Sequence, residues 1–171
     1  MVGWYKHMQY LTIIVCGLIV FSGCGRFVKV SEQERVIRQV LTVQLSKDEI
    51  YDRALEWCAK KAVGGKDAIL LKDREKGKII ARGSAKYSEF FDFLVDRRFG
   101  YTLTIEVKEG RYRVSFDNFA VEYDERDLKS APAEFQLEID KIKTVLGKTA
   151  EDLRDHISRN VKEEVKKEEE W

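Results

Sequence analysis

The stretch Phe99-Gly100-Tyr101-Thr102-Leu103-Thr104-Ile105-Glu106-Val107-Lys108-Glu109-Gly110-Arg111-Tyr112-Arg113-Val114-Ser115-Phe116-Asp117 decides the fold. Its first half alternates strictly: Phe99, Tyr101, Leu103, Ile105 and Val107 are apolar, and Thr102, Thr104, Glu106 and Lys108 are polar. Period two places alternate side chains on opposite faces of a strand. Lys108-Glu109-Gly110-Arg111 reads as a hairpin turn, after which Tyr112, Val114 and Phe116 alternate with Arg113, Ser115 and Asp117. Two such strands predict an antiparallel sheet with one apolar and one polar face.

More strands lie upstream. Lys78 to Tyr87 reads as a strand, preceded by the turn Asp73-Arg74-Glu75-Lys76-Gly77 and by Ala68-Ile69-Leu70-Leu71. Val36 to Leu45 is rich in β-branched residues, with Ile37, Leu41, Val43 and Leu45 on one parity. Between these, Ser46-Lys47-Asp48-Glu49 is a capping box: the serine accepts from a free backbone N–H and the glutamate reaches back. The helix it opens carries Tyr51, Ala54, Leu55, Cys58 and Ala62 at helical spacing, and Gly64-Gly65 is its expected stop.

Strand character ends after Tyr123. Ser130-Ala131-Pro132 is read as a helix start, with proline in the first turn. Phe135, Ile139, Ile142 and Leu146 form a stripe and Gly147 is the expected stop. Thr149 then opens another helix, with Leu153, Ile157, Val161 and Val165 at every fourth position. The fold class is therefore α+β: an antiparallel sheet of about five strands, a helix after the first strand, and C-terminal helices.

The N-terminus carries a different signal. Lys6 and His7 precede an apolar run from Leu11 that is too short to span a bilayer comfortably. The run closes on Val20-Phe21-Ser22-Gly23-Cys24, which resembles a bacterial lipobox. That resemblance implies a signal peptide over 1–23, a lipid on Cys24, and a mature chain hung from a membrane. Residues 24–35 read as a polar tether, 36–123 as the sheet domain, and 124–171 as C-terminal helices with a charged tail. No acidic run follows Cys24, so the expected location is the cell envelope, at the outer membrane and facing the periplasm.

Composition narrows the function. The chain carries 31 basic and 30 acidic side chains, a net charge of +1. A nucleic-acid binder shows a basic excess, so none is expected as a partner. Beyond Cys16 and Cys24 only Cys58 remains, and His156 is the one histidine after the signal. Zinc sites need several such ligands; no metal or cofactor is expected, no catalytic residue is assigned, and the chain is not read as an enzyme.

Three segments resemble parts of one family: Ser46 to Trp57, Asp73 to Gly83, and Tyr101 to Arg113. Together they are similar to a bacterial domain of unknown function described as having a TBP-like fold, found largely in exported proteins. The resemblance covers about residues 36–119. It implies a fold and supplies no catalytic residues; shared shape does not transfer DNA binding.

The candidate contact residues fall in two groups. Phe90, Phe91 and Phe93 lie in an aromatic connection, read either as strands running on or as a loop touching a partner or lipid. Arg97 and Arg98 beside them could meet anionic headgroups. The polar face of the sheet offers Arg82, Thr104 and Arg113, with Ser84, Lys86, Thr102, Glu106 and Ser115, as a solvated surface or a groove for an anionic ligand. The functional expectation is a lipid-anchored binding or assembly module that engages an envelope protein. The alternative is a lipoprotein binding a small molecule or glycan on the polar sheet face.

Overall fold

The computed structural model describes residues 28–61, 68–90, 94–124 and 129–169. Three long strands form its centre: β3 (Lys78–Phe90), β4 (Leu94–Lys108) and β5 (Arg111–Asp124). Short strands flank them. β2 (Ile69–Asp73) pairs with β3, and β1 (Ile37–Thr42) pairs with β5. The order is β2-β3-β4-β5-β1, every pairing antiparallel. β6 (Lys129–Pro132) shares the outer edge of β5 with β1. β1 runs along Arg111 to Phe116, and β6 along Ala120 to Asp124.

The two halves of β5 are joined by a bulge. Thr102 pairs with Asp117 and Gly100 with Ala120, so Asn118 and Phe119 together face Tyr101. Asn118 takes the extra step with a φ of 53°, a left-handed conformation that asparagine tolerates better than most side chains. The bulge switches parity. Tyr112, Val114 and Phe116 point into the core before it, and Phe119 and Val121 after it. Without that step the second half of β5 would turn its apolar side to water.

The core lies between one sheet face and two helices. α1 (Lys47–Lys61) buries Ile50, Tyr51, Ala54, Trp57 and Cys58. Leu55, expected on the buried stripe, is only half-buried, and Trp57 takes the deeper place. The capping box forms as read: Ser46 N donates to Glu49 Oε2 at 2.9 Å and Glu49 N to Ser46 Oγ at 3.4 Å. Glu109, in the β4–β5 turn, accepts from Lys47 N at 3.1 Å and adds a carboxylate at the helix's positive end.

α2 (Gln136–Glu169) is one helix of 34 residues, about 50 Å long at 1.5 Å per residue. The two C-terminal helices expected from Gly147 and Thr149 are a single element. One glycine costs a helix about 1 kcal/mol. The stripe of Ile139, Ile142, Leu146, Ala150, Leu153 and Ile157, all buried, outweighs it from both sides. Thr149 Oγ1 donates back to the Val145 carbonyl instead of capping a new start. Pro132 does not open this helix either. It sits on the edge strand β6 opposite Ala120, where a missing N–H is tolerated. Among the described residues no helix is long and apolar enough to cross a membrane.

Residues 28–30, read as part of the tether, are docked on the domain. Lys29 bridges to Phe135, and Val30 N donates to Glu134 O at 2.8 Å. Gln136 N donates to Val28 O at 2.9 Å, and Val30 is 4% exposed. The first turn of α2 has free N–H groups, and this incoming segment satisfies one of them.

Candidate binding face

Among the described residues, the sheet face opposite the helices has no layer packed on it. Cross-strand register places its side chains in rows. One row runs Asp73, Lys78, Glu106, Arg113, Val40; the next runs Leu71, Ile80, Thr104, Ser115, Arg38. Arg82, Thr102 and Asp117 form a third, and Lys86, Arg98, Glu122 and Ser130 lie further along. Arg82, Thr104 and Arg113, chosen by alternation, share this face as expected.

The ladder is cross-linked. Arg113 Nε donates to Glu106 Oε2 at 2.6 Å, and Asn118 Nδ2 donates to Thr102 Oγ1 at 3.3 Å. Ser88 Oγ donates to Asp96 Oδ1 at 2.8 Å, and Arg98 lies 3.8 Å from Glu122. Ser115 is buried at 8% exposure between its neighbours. Partial burial raises the Asp117 carboxyl above its ordinary value, opposed by Arg38.

Two depressions open here. One, of about 300 Å³, lies at the Gly110 end and is lined by Val40, Lys76, Glu106, Lys108, Arg111 and Arg113 among others. The other, of about 630 Å³, lies in the gap between β1 and β6, around Arg35, Asp117, Asn118, Pro132 and Glu134. Sequence reasoning missed the second because it depends on two strands sharing one edge. The parity slip between Phe116 and Phe119 was the available clue.

Arg97 and Arg98 do not form one basic patch. Adjacent strand residues point to opposite faces. Arg97 pairs across with Tyr87 on the helix side, 3.9 Å from Glu89, which also accepts from Lys141 Nζ at 2.8 Å. Arg98 lies on the open face. The backbone at Phe90 is strand, paired with Leu94, so β3 and β4 do run on into this connection. Phe91 and Phe93 lie outside the described residues, as does Cys24.

Neither Cys58 nor His156 forms a reactive site. Cys58 is 1% exposed, and burial pushes its thiol up to about 12. His156 Nε2 stands 3.7 Å from Glu56 Oε2 at the α1–α2 boundary. Among the described residues no group of three His, Cys, Asp or Glu side chains is arranged to hold a metal.

The family described as a domain of unknown function (DUF4468) with TBP-like fold matches residues 38–122. The chain belongs to that family through this region. The crystal structure of a DUF4468 family protein from Bacteroides ovatus ATCC 8483 aligns with a TM-score of 0.53 at 16% identity, covering 71% of this chain and 82% of that one. The crystal structure of a TBP-like protein from Parabacteroides distasonis ATCC 8503 aligns with a TM-score of 0.56, also at 16% identity, covering 71% and 91%. At that identity the likeness is one of fold. No curated protein matches the chain.

Several DUF4468-like segments of this chain have architectural duties. Arg74, in the β2–β3 turn, ion-pairs with Asp48 and Asp52 of α1 and lies over the Tyr51 ring, 5.0 Å from its centroid. Gly77 turns with a φ of 64°, and its carbonyl accepts from Val107 N at 2.7 Å. The residues that carried the resemblance thus fasten α1 to the sheet, and none of them points to a reaction.

Proposed function

We propose that the protein is a binding module of the cell envelope, held by a lipid on Cys24, with the uncovered sheet face as its contact surface. One observation carries this reading. Two helices seal one side of the sheet, while the other presents a ladder of charged and hydroxyl side chains with two depressions. The lipobox-like string at Cys24 supports an outer-membrane anchor facing the periplasm. The near-neutral charge supports a partner other than nucleic acid. A photo-crosslinking residue at Thr104, on the open face, should capture a partner in intact cells, and one at Lys143, exposed on α2, should not. Equal capture from both positions, or none from Thr104, would refute the face assignment. Cys24→Ala should abolish labelling with a clickable fatty acid; persistent label would refute the anchor.

A second reading is favoured by the larger depression. About 630 Å³ lies within the range of small-molecule sites, which suits a small ligand or a glycan unit in place of a protein partner. Asp117→Ala should then weaken ligand capture while Thr104 crosslinks to protein stay absent.

A further inference from the structure

The Gly110 end of the open face concentrates cations on a chain whose net charge is only +1. Lys76, Lys108, Arg111 and Arg113 line the depression of about 300 Å³, and Lys78 stands in the same cross-strand row as Glu106 and Arg113. Two carboxylates answer them. Glu106 is engaged by Arg113, and Asp73 lies 3.3 Å from Lys76. Glu109 is turned toward the start of α1, on Lys47 N. Lys78, Lys108 and Arg111 therefore have no carboxylate at ion-pair distance among the described residues.

Lys108 and Arg111 are also direct cross-strand partners. Like charges placed opposite each other on a sheet destabilise it. The turn between them needs a left-handed residue, supplied by Gly110 with a φ of 66°, but nothing in that turn requires two cations at its base. An anion seated between them would relieve the repulsion. Arginine offers a planar fork and lysine a point charge, and together they suit the several acceptor oxygens of a phosphate. Val40, 65% exposed, adds an apolar wall beside the cations.

We infer that this depression is an anion site for a phosphate-bearing group, either on a soluble ligand or on a lipid headgroup. The inference rests on the open face being the contact surface and names the chemistry recognised at one end of it.

The test uses the full chain in phosphatidylcholine nanodiscs. Acylation of each lysine is followed by mass spectrometry, with pyrophosphate or with sodium chloride at matched ionic strength. Near-saturating pyrophosphate should slow labelling of Lys108 and Lys78 by about fivefold, as site occupancy by mass action requires, and leave Lys143 unchanged. Arg111→Ala should remove that protection without lowering the thermal midpoint, since Arg111 is exposed and its loss relieves the repulsion with Lys108. Nanodiscs containing phosphatidylglycerol form the second arm. Protection there without pyrophosphate assigns a headgroup, and protection by pyrophosphate alone assigns a soluble ligand. Unchanged labelling in both arms, or equal slowing at Lys143, overturns the site. Should Thr104 crosslinks persist in that case, the contact face stands and the anion chemistry falls.

Discussion

The ring of Tyr101 lies across Gly83: a Cβ on Gly83 would stand 2.3 Å from Tyr101 Cζ. The two residues pair across β3 and β4. Tyr101 also meets Phe99 at 6.0 Å and Phe116 at 5.7 Å between ring centroids. A glycine in mid-strand here is a seat for an aromatic ring.

Gly83→Ala should therefore destabilise the domain by about 1–3 kcal/mol through overpacking. A denaturant melt of the full chain in nonionic detergent measures it. Tyr101→Ala should make the glycine replaceable, so that Gly83→Ala costs little in that background. An equal cost in both backgrounds would show that the ring is not the reason for the glycine.

Asn118 supplies a second backbone test. Its φ of 53° is open to glycine and hostile to β-branched side chains. Asn118→Gly should change stability by a few tenths of a kcal/mol, and Asn118→Val should cost about 1–2 kcal/mol. If valine is tolerated as well as glycine, the bulge is not held in that conformation.

The capping box predicts a smaller effect. Ser46→Ala should lose about 1 kcal/mol. Hydrogen exchange should report the loss first in the opening turn of α1. Ser46→Asp should restore most of it, because an aspartate can accept the same bond.

Buried acids make the protein labile to alkali. Burial raises Cys58, Tyr87 and Tyr112 to about 12, from ordinary values of 9.0 for the thiol and 10.0 for the phenols. The unfolded chain ionises near those ordinary values while the folded chain keeps its protons. Stability from these groups is thus whole below pH 9 and is lost as pH rises from 9 toward 12. A stability profile over that range should fall, and Cys58→Ser should not remove the fall, because both tyrosines remain. At pH 8, iodoacetamide should modify the Cys58 peptide in denaturant and spare it in the native protein. The Tyr112 hydroxyl has no hydrogen-bond partner among the described residues. Tyr112→Phe should consequently be neutral or stabilising, and a loss above about 1 kcal/mol would reveal a bond to that hydroxyl.

Much of this architecture was legible because strand alternation and helix capping are local. Phe99 to Val107 had to show one apolar face whatever lay around it, and Ser46 with Glu49 could cap a helix unaided. The open-face positions Arg82, Thr104 and Arg113 followed from the same parity. Long-range competition decided the rest. Gly147 reads as a stop in isolation, yet a stripe buried from Ile139 to Ile157 carries the helix through it. Pro132 reads as a helix start, yet the outer edge of β5 offered it a strand position. Val28 to Val30 read as tether, yet the N-terminus of α2 left N–H groups that this segment could satisfy. The depression between β1 and β6 exists because two strands distant in sequence share one edge of β5. Local periodicity thus determined the inward face of each central strand, while on α1 packing gave Trp57 the place that periodicity assigned to Leu55. Only the tertiary structure decided where elements end and what they leave open, because those outcomes turn on burial and hydrogen-bond partners supplied from elsewhere in the chain.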